Sequence, residues 1–113
     1  MTRACWLLLA VAACRSGSDQ NPFLAAAPRT DPPSPAVVEA CQLARSRCSR
    51  CHSVDRILTH SAYTPIEWET LVHRMRMMTG SAIHQREEPA LVRCFVFKTS
   101  GNAGLARMAQ ETP

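Results

Sequence analysis

The pentapeptide Cys48-Ser49-Arg50-Cys51-His52 constrains this chain more than any other feature of its sequence. It places two thiols three residues apart and an imidazole directly after the second. The chain has 113 residues, of which 46% are hydrophobic but only 5% aromatic, so it can form one small domain whose protein core alone is marginal. We therefore expect a covalently attached group or a metal at this motif to supply part of the core.

The spacing C-x-x-C-H is that of a c-type haem attachment site. The thiols of Cys48 and Cys51 add to the two vinyl groups of one porphyrin, and His52 presents a ring nitrogen to the iron as the proximal ligand. Zinc is one alternative, but it needs a further ligand such as His60 or Cys41. A redox dithiol is the other, but it needs a preceding strand that the sequence does not supply. We expect one covalent haem c as the cofactor.

Three segments of the chain have the end signals and apolar spacing of helices. A serine followed by proline predicts a helix over 35–50, and a capping box at Thr64 with proline at the first helical position predicts another that ends near residue 78. The third segment, 87–98, suits a strand equally well, but no second strand is available to pair with it. The sequence therefore predicts an all-α domain of about three helices around one covalently bound haem.

The N-terminal segment 1–13 has a short basic start and an apolar stretch too brief to span a bilayer, as in a secretory signal. The residues up to Cys14 resemble a bacterial lipobox, which predicts lipidation of that cysteine; simple cleavage before it is the alternative. We expect an exported protein on the periplasmic side of a bacterial membrane. The arginine that follows Cys14 favours a lipid anchor in the outer membrane.

The rest of the chain divides by composition. Residues 14–36 are rich in proline and polar residues and predict a flexible linker. Residues 37–100 form the predicted domain. Gly101 and the asparagine after it are expected to close the last helix, which leaves 101–113 as a short terminal helix or a frayed tail.

The candidates for a second axial ligand are soft side chains in the helix that follows the motif. Met75 shares an apolar stripe with Trp68 and Leu71, so its thioether is expected to emerge toward whatever that face covers. Met78 lies near the same stripe and is the competing methionine, while both have the alternative role of core packing. The remaining candidate ligands are His60, His73 and His84.

The runs CSRCHSVDRIL, TPIEWETLVHRM and GSAIHQREEPALVRCF together resemble a short class of bacterial single-haem cytochromes c. In that class, C-x-x-C-H is followed by a helix of pattern W-x-x-x-V-x-x-M. The resemblance implies His52 as proximal and Met75 as distal ligand of the haem iron. It also implies that Trp68 packs near the haem and donates its indole N–H to a propionate, with a plain core role as the alternative.

Two residues depart from the family pattern. Pro89 stands where the family has an ordinary helix former, which leaves the start of the last helix uncertain by a turn. Cys94 stands where the family usually has tyrosine. Since the first and last helices cross in the family, the resemblance together with export suggests a disulfide between Cys41 and Cys94.

Charge adds little to these expectations. The formal net charge is +4, and loss of the signal removes one basic residue, so the exported chain is not basic enough to suggest nucleic-acid binding. Four arginines near the motif are candidates for pairing with propionates or for docking an acidic partner: Arg45, Arg47, Arg50 and Arg56. No catalytic triad is visible.

We therefore expect an electron carrier rather than an enzyme, with donor and acceptor proteins as its partners. The alternatives are a haem-based sensor or small catalyst with an open or labile sixth site, a subunit of a larger redox complex, and an interaction module without haem.

Overall fold

The structure is a computed structural model that describes residues 21–29, 32–60 and 63–113. The predicted signal segment and Cys14 lie outside the described residues. The helices are, in chain order, α1 (Pro22–Ala25), α2 (Pro35–Cys48), α3 (Asp55–Leu58), α4 (Pro65–Arg76) and α5 (Glu88–Glu111), with a 3-10 turn at Gln85–Glu87. The described part of the chain contains no strand, so the predicted all-α class is confirmed.

Helices α2 and α4 begin where their end signals place them. The Ser34 hydroxyl accepts a hydrogen bond from the Val37 amide at 3.3 Å, with proline at the first helical position. At α4 the capping box closes in both directions: the Thr64 amide donates to the Glu67 carboxylate at 2.6 Å, and the Glu67 amide donates to the Thr64 hydroxyl at 3.3 Å. Each helix ends two residues earlier than predicted, within the usual fraying of helix ends.

Helix α5 is longer than the sequence predicts. It was expected to end before Gly101, but it continues to Glu111 through a break at that residue, whose φ of 61° and ψ of −157° are not helical. Only glycine adopts this backbone conformation without strain. The glycine therefore redirects the chain rather than ending the helix, and the half beyond it is helical where a tail was one expectation. Pro89 lies in the first turn of α5, where its missing N–H costs nothing.

Helix α1 lies inside the segment predicted to be a flexible linker. Phe23 has no exposed surface and its ring meets Phe95 edge-on, with centroids 5.3 Å apart. Asn21, 2% exposed, donates from its side-chain amide to the Cys41 carbonyl at 2.9 Å. The sequence shows no sustained apolar period here because the docked helix is a single turn. The packed domain thus begins at residue 21 instead of 37.

The core forms where α1, α2 and α4 pack on α5. Cys41 of α2 and Cys94 of α5 are joined as a disulfide, with their Cα atoms 5.0 Å apart, and neither has exposed surface. From α4, the fully buried Trp68 reaches Phe95. None of the described helices combines the length and apolar character needed to cross a membrane.

Candidate cofactor cavity

A cavity of about 420 Å³ lies between the end of α2, α3, α4 and the start of α5. This volume falls within the range of small-molecule sites, which is roughly 300 to 1,000 Å³. Its apolar wall is formed by Ile57, Leu71, Val72, Ile83, Leu91 and Phe95. Cys48, Cys51, His52 and Met75, the four residues that the sequence assigns to haem attachment and ligation, all line this same cavity.

The two motif cysteines are both free thiols at the end of α2. Cys48 is the last helical residue and half-buried, whereas Cys51 lies in the following turn and is exposed. Burial, reinforced by the nearby Cys51, raises the pKa of the Cys48 thiol to about 11. The buried position therefore disfavours a bare thiolate, and it accepts a neutral thioether without that cost.

His52 presents its ring to the cavity with one nitrogen already engaged. Its Nδ1 lies 2.9 Å from the carbonyl oxygen of Ser53. Because a carbonyl oxygen only accepts hydrogen bonds, Nδ1 is the protonated nitrogen in this geometry. The Nε2 lone pair is then available to a metal, which is the arrangement that backbone carbonyls commonly impose on metal-binding histidines.

Helix α4 supplies the candidate distal ligands. Met75 is half-buried and lines the cavity together with Leu71 and Val72, as its place on the apolar stripe predicts. Met78 also lines the cavity but is 60% exposed. The two methionines are therefore the thioethers that line the same cavity as His52.

The three alternative histidine ligands lie in different places. His60 lines the cavity and stacks on Tyr63, with ring centroids 5.0 Å apart. His73 is exposed on α4 with its Nδ1 3.6 Å from the Glu88 carboxylate, and His84 precedes the 3-10 turn. Neither His73 nor His84 lines the cavity, so His60 alone of the three remains a candidate ligand.

Trp68 is placed behind the cavity instead of on its wall. Its ring packs on Phe95, which does line the cavity, at a centroid separation of 5.1 Å. Its indole N–H donates to the Thr99 hydroxyl at 3.1 Å. The donor that the resemblance assigns to a propionate is therefore engaged within the protein, and Trp68 supports the cavity through Phe95.

The arginines near the motif differ in their surroundings. Arg47 lines the cavity and donates two hydrogen bonds to the Glu87 carboxylate, at 3.0 and 2.6 Å. These bonds lower the pKa of Glu87 to about 2. Arg56 also lines the cavity and makes no ion pair with any residue that the structure describes. Arg56 is thus the guanidinium at this wall that can meet an anionic group.

Lys98 lies next to this site and was not among the residues predicted from the sequence. Its ammonium group donates to the carbonyls of Ile57 at 3.1 Å and of His60 at 2.7 Å. The signal for it was a charged residue ending the apolar run of 94–97. Asn21 was missed as well, because a polar residue among prolines gives no sign of burial.

The structure does not provide the residues and elements that the alternatives to haem require. Cys41, a possible fourth zinc ligand, is bonded to Cys94. Across the described ranges, no three His, Cys, Asp or Glu side chains gather in a metal-binding group. The strand that a thioredoxin-like dithiol requires is also missing from those ranges.

Comparison with known proteins adds no relative. A scan against models of protein families, a search of curated proteins and a search of solved structures each found no match to this chain.

Proposed function

We propose that this protein is a mono-haem c-type cytochrome that transfers single electrons. The observation that carries the proposal is the convergence of two free thiols, an imidazole and a thioether on one cavity of about 420 Å³. When bound, the haem supplies a one-electron Fe(III)/Fe(II) couple. The chain itself attaches, ligates and encloses it.

Each residue of the convergent set has a distinct role in this proposal. Cys48 and Cys51 hold the porphyrin through thioether bonds, which prevent cofactor loss from so small a core. His52 offers its Nε2 to the iron, with Nδ1 held by the Ser53 carbonyl. Met75 would supply the second protein ligand to the iron, and two such ligands would suit electron transfer because they leave no open position for a substrate.

Export is part of the same proposal. The segment 1–13 serves as the signal, Cys14 carries the lipid, and the domain works on the periplasmic side while anchored to the outer membrane. The buried disulfide between Cys41 and Cys94 supports this placement, since such bonds persist in oxidising compartments. Donor and acceptor proteins are the expected partners.

Absorption spectra of the exported protein test the proposal. We expect c-type bands in the oxidised and reduced states, retained after denaturation strong enough to release any non-covalent haem. Replacing both Cys48 and Cys51 by alanine is expected to abolish those retained bands. Replacing Ser49 and Arg50, the two exposed residues between the motif cysteines, by alanine serves as the matched control, because it changes the same turn and leaves both thiols in place. A colourless product from cells with a cytochrome c maturation system would overturn the proposal.

A second candidate is a haem sensor or small catalyst with a labile sixth site. One observation favours it: Met78 and His60 share the cavity with Met75, so several side chains compete for one position. Carbon monoxide separates the two candidates. Ready binding to the reduced protein favours a labile site, whereas its exclusion favours electron transfer.

A further inference from the structure

Lys98 is the one charged side chain in the buried set of the described residues, with 4% of its surface exposed. It lies in the middle of α5, on the turn that follows Phe95 and Phe97. Burying an ammonium group away from water is costly unless it is compensated.

The ammonium group is compensated by backbone, not by a carboxylate. It donates to the carbonyls of Ile57 and His60, 41 and 38 residues away along the chain. It also lies 5.7 Å from the centroid of the Trp68 ring, within cation–π range. No described carboxylate forms an ion pair with it, so no described negative charge offsets the positive charge of the ammonium group.

The two carbonyls belong to residues of the cavity wall. Ile57 and His60 both line the cavity, and they belong to the segment that links the C-x-x-C-H motif to α4. The Trp68 ring beneath the ammonium group packs on Phe95, a third wall residue. Lys98 is therefore one residue layer behind the cavity and holds part of its wall in place.

We propose that Lys98 is a positioning and electrostatic residue of the cavity, which fixes the 57–60 wall and raises the reduction potential of the group bound there. The inference rests on the proposed function. A haem held in this cavity would supply a one-electron couple whose reduced state carries one positive charge fewer than its oxidised state. A fixed positive charge nearby stabilises the reduced state relative to the oxidised one, and low-dielectric surroundings strengthen the effect.

Burial lowers the pKa of Lys98 from its usual value. The two carbonyl oxygens that accept from it carry partial negative charge, which favours the charged form of the side chain and opposes the effect of burial. A neutral apolar side chain would avoid the cost of burying a charge but would leave the carbonyls of Ile57 and His60 without this donor, so its two effects on stability oppose each other. The stability of such a variant alone therefore does not report what the charge does at the cavity.

The test measures midpoint potentials of the haem-loaded protein by spectroscopic redox titration. In Lys98→Gln the side chain keeps hydrogen-bond donors and loses the charge; in Lys98→Met it loses both. We expect either variant to reduce the equilibrium constant for electron uptake roughly tenfold, which corresponds to about 59 mV for one electron. Arg93→Met is the matched control, because it removes the same charge from the exposed face of α5.

Two further measurements are the dependence of the midpoint potential on ionic strength and the rate of amide hydrogen exchange. A buried charge is poorly screened, so the Lys98 effect is expected to persist at high ionic strength, whereas any Arg93 effect is expected to vanish. The positioning role is read in the protein as purified, where Lys98→Met is expected to speed amide exchange in 57–60 while Arg93→Met leaves it unchanged. If Lys98→Met does not fold, Lys98→Gln provides both readouts.

The outcomes are distinguishable. Haem-loaded Lys98→Gln and Lys98→Met proteins whose potentials match that of Arg93→Met would overturn the electrostatic role while leaving the proposed function intact. Unchanged exchange in 57–60 would overturn the positioning role. Absence of haem from the parent protein would overturn the proposed function and the electrostatic role together.

Discussion

Glu87, at the end of the 3-10 turn, accepts two hydrogen bonds from Arg47 on α2, with Nε and Nη2 at 3.0 and 2.6 Å from its two carboxylate oxygens. Arg47 lines the cavity, so this ion pair fixes one edge of the cavity between the end of α2 and the start of α5. A two-point guanidinium–carboxylate pair holds geometry better than a single contact does.

Acid should therefore weaken the fold through Glu87. Its pKa is about 2 in the folded protein, below the value of 4.5 for a free glutamate. A lowered pKa contributes stability that is complete above about pH 5 and is lost as pH falls through 4.5 toward 2. We expect Glu87→Gln to lower the melting temperature by roughly 2–5 °C at pH 7. We also expect the variant to lose less stability than the parent as the pH falls from about 5 toward 2.

Thermal unfolding followed by circular dichroism between pH 2 and 7 measures both effects. Glu39→Gln is the control, because Glu39 is exposed on α2 and forms no ion pair with a described residue. If the melting temperature of Glu87→Gln falls with decreasing pH as steeply as that of the parent, the role given to Glu87 is contradicted.

The Cys41–Cys94 disulfide closes a loop of 53 residues. In the chain-entropy account such a loop is worth about 4 kcal/mol of unfolding free energy. We expect the Cys41→Ala, Cys94→Ala double variant to lose up to that amount in chemical denaturation. Mass spectrometry after alkylation without reductant checks the bond: in the haem-loaded domain, alkylation of these two cysteines would show that it is not formed.

Methionine variants separate the two candidate distal ligands. Met75→Leu is expected to abolish the ferric charge-transfer band of iron–thioether ligation, because leucine fills a similar volume without a donor atom. Met78→Leu is expected to retain it, since that side chain is 60% exposed. The reverse pattern would assign the ligand to Met78, and retention of the band in both variants would contradict both assignments. A ferric parent protein that lacks this band would point to His60, because an imidazole ligand does not give an iron–thioether band.

Helix α1 offers a stability test of the revised domain boundary. Phe23 is fully buried against Phe95, so Phe23→Ala is expected to cost about 3–5 kcal/mol of unfolding free energy. Ala26→Ser, one helical turn away on an exposed position, is expected to cost within about 0.5 kcal/mol. Equal stability of Phe23→Ala and the parent in urea denaturation would show that 21–27 behave as part of the linker.

The elements that local signals define were predictable. The starts of α2 and α4 each follow from a capping residue with a proline directly after it, so short-range hydrogen bonds decide them. The extension of α5 beyond Gly101 was not predictable in the same way. A glycine can end a helix or bend it, and the packing of the following residues decides between them.

The sequence by itself determined the chemistry this protein offers: two thiols and an imidazole at fixed spacing, and a methionine on the apolar stripe of the next helix. Only the tertiary structure decided which of these residues share a cavity, that Trp68 lies behind its wall, and that Lys98 and Asn21 are buried. The physical reason is the distance along the chain between the residues that make each contact. Neighbours within a helical turn follow from sequence spacing, whereas a lysine that donates to a carbonyl 41 residues away depends on how α5 packs against the rest of the chain.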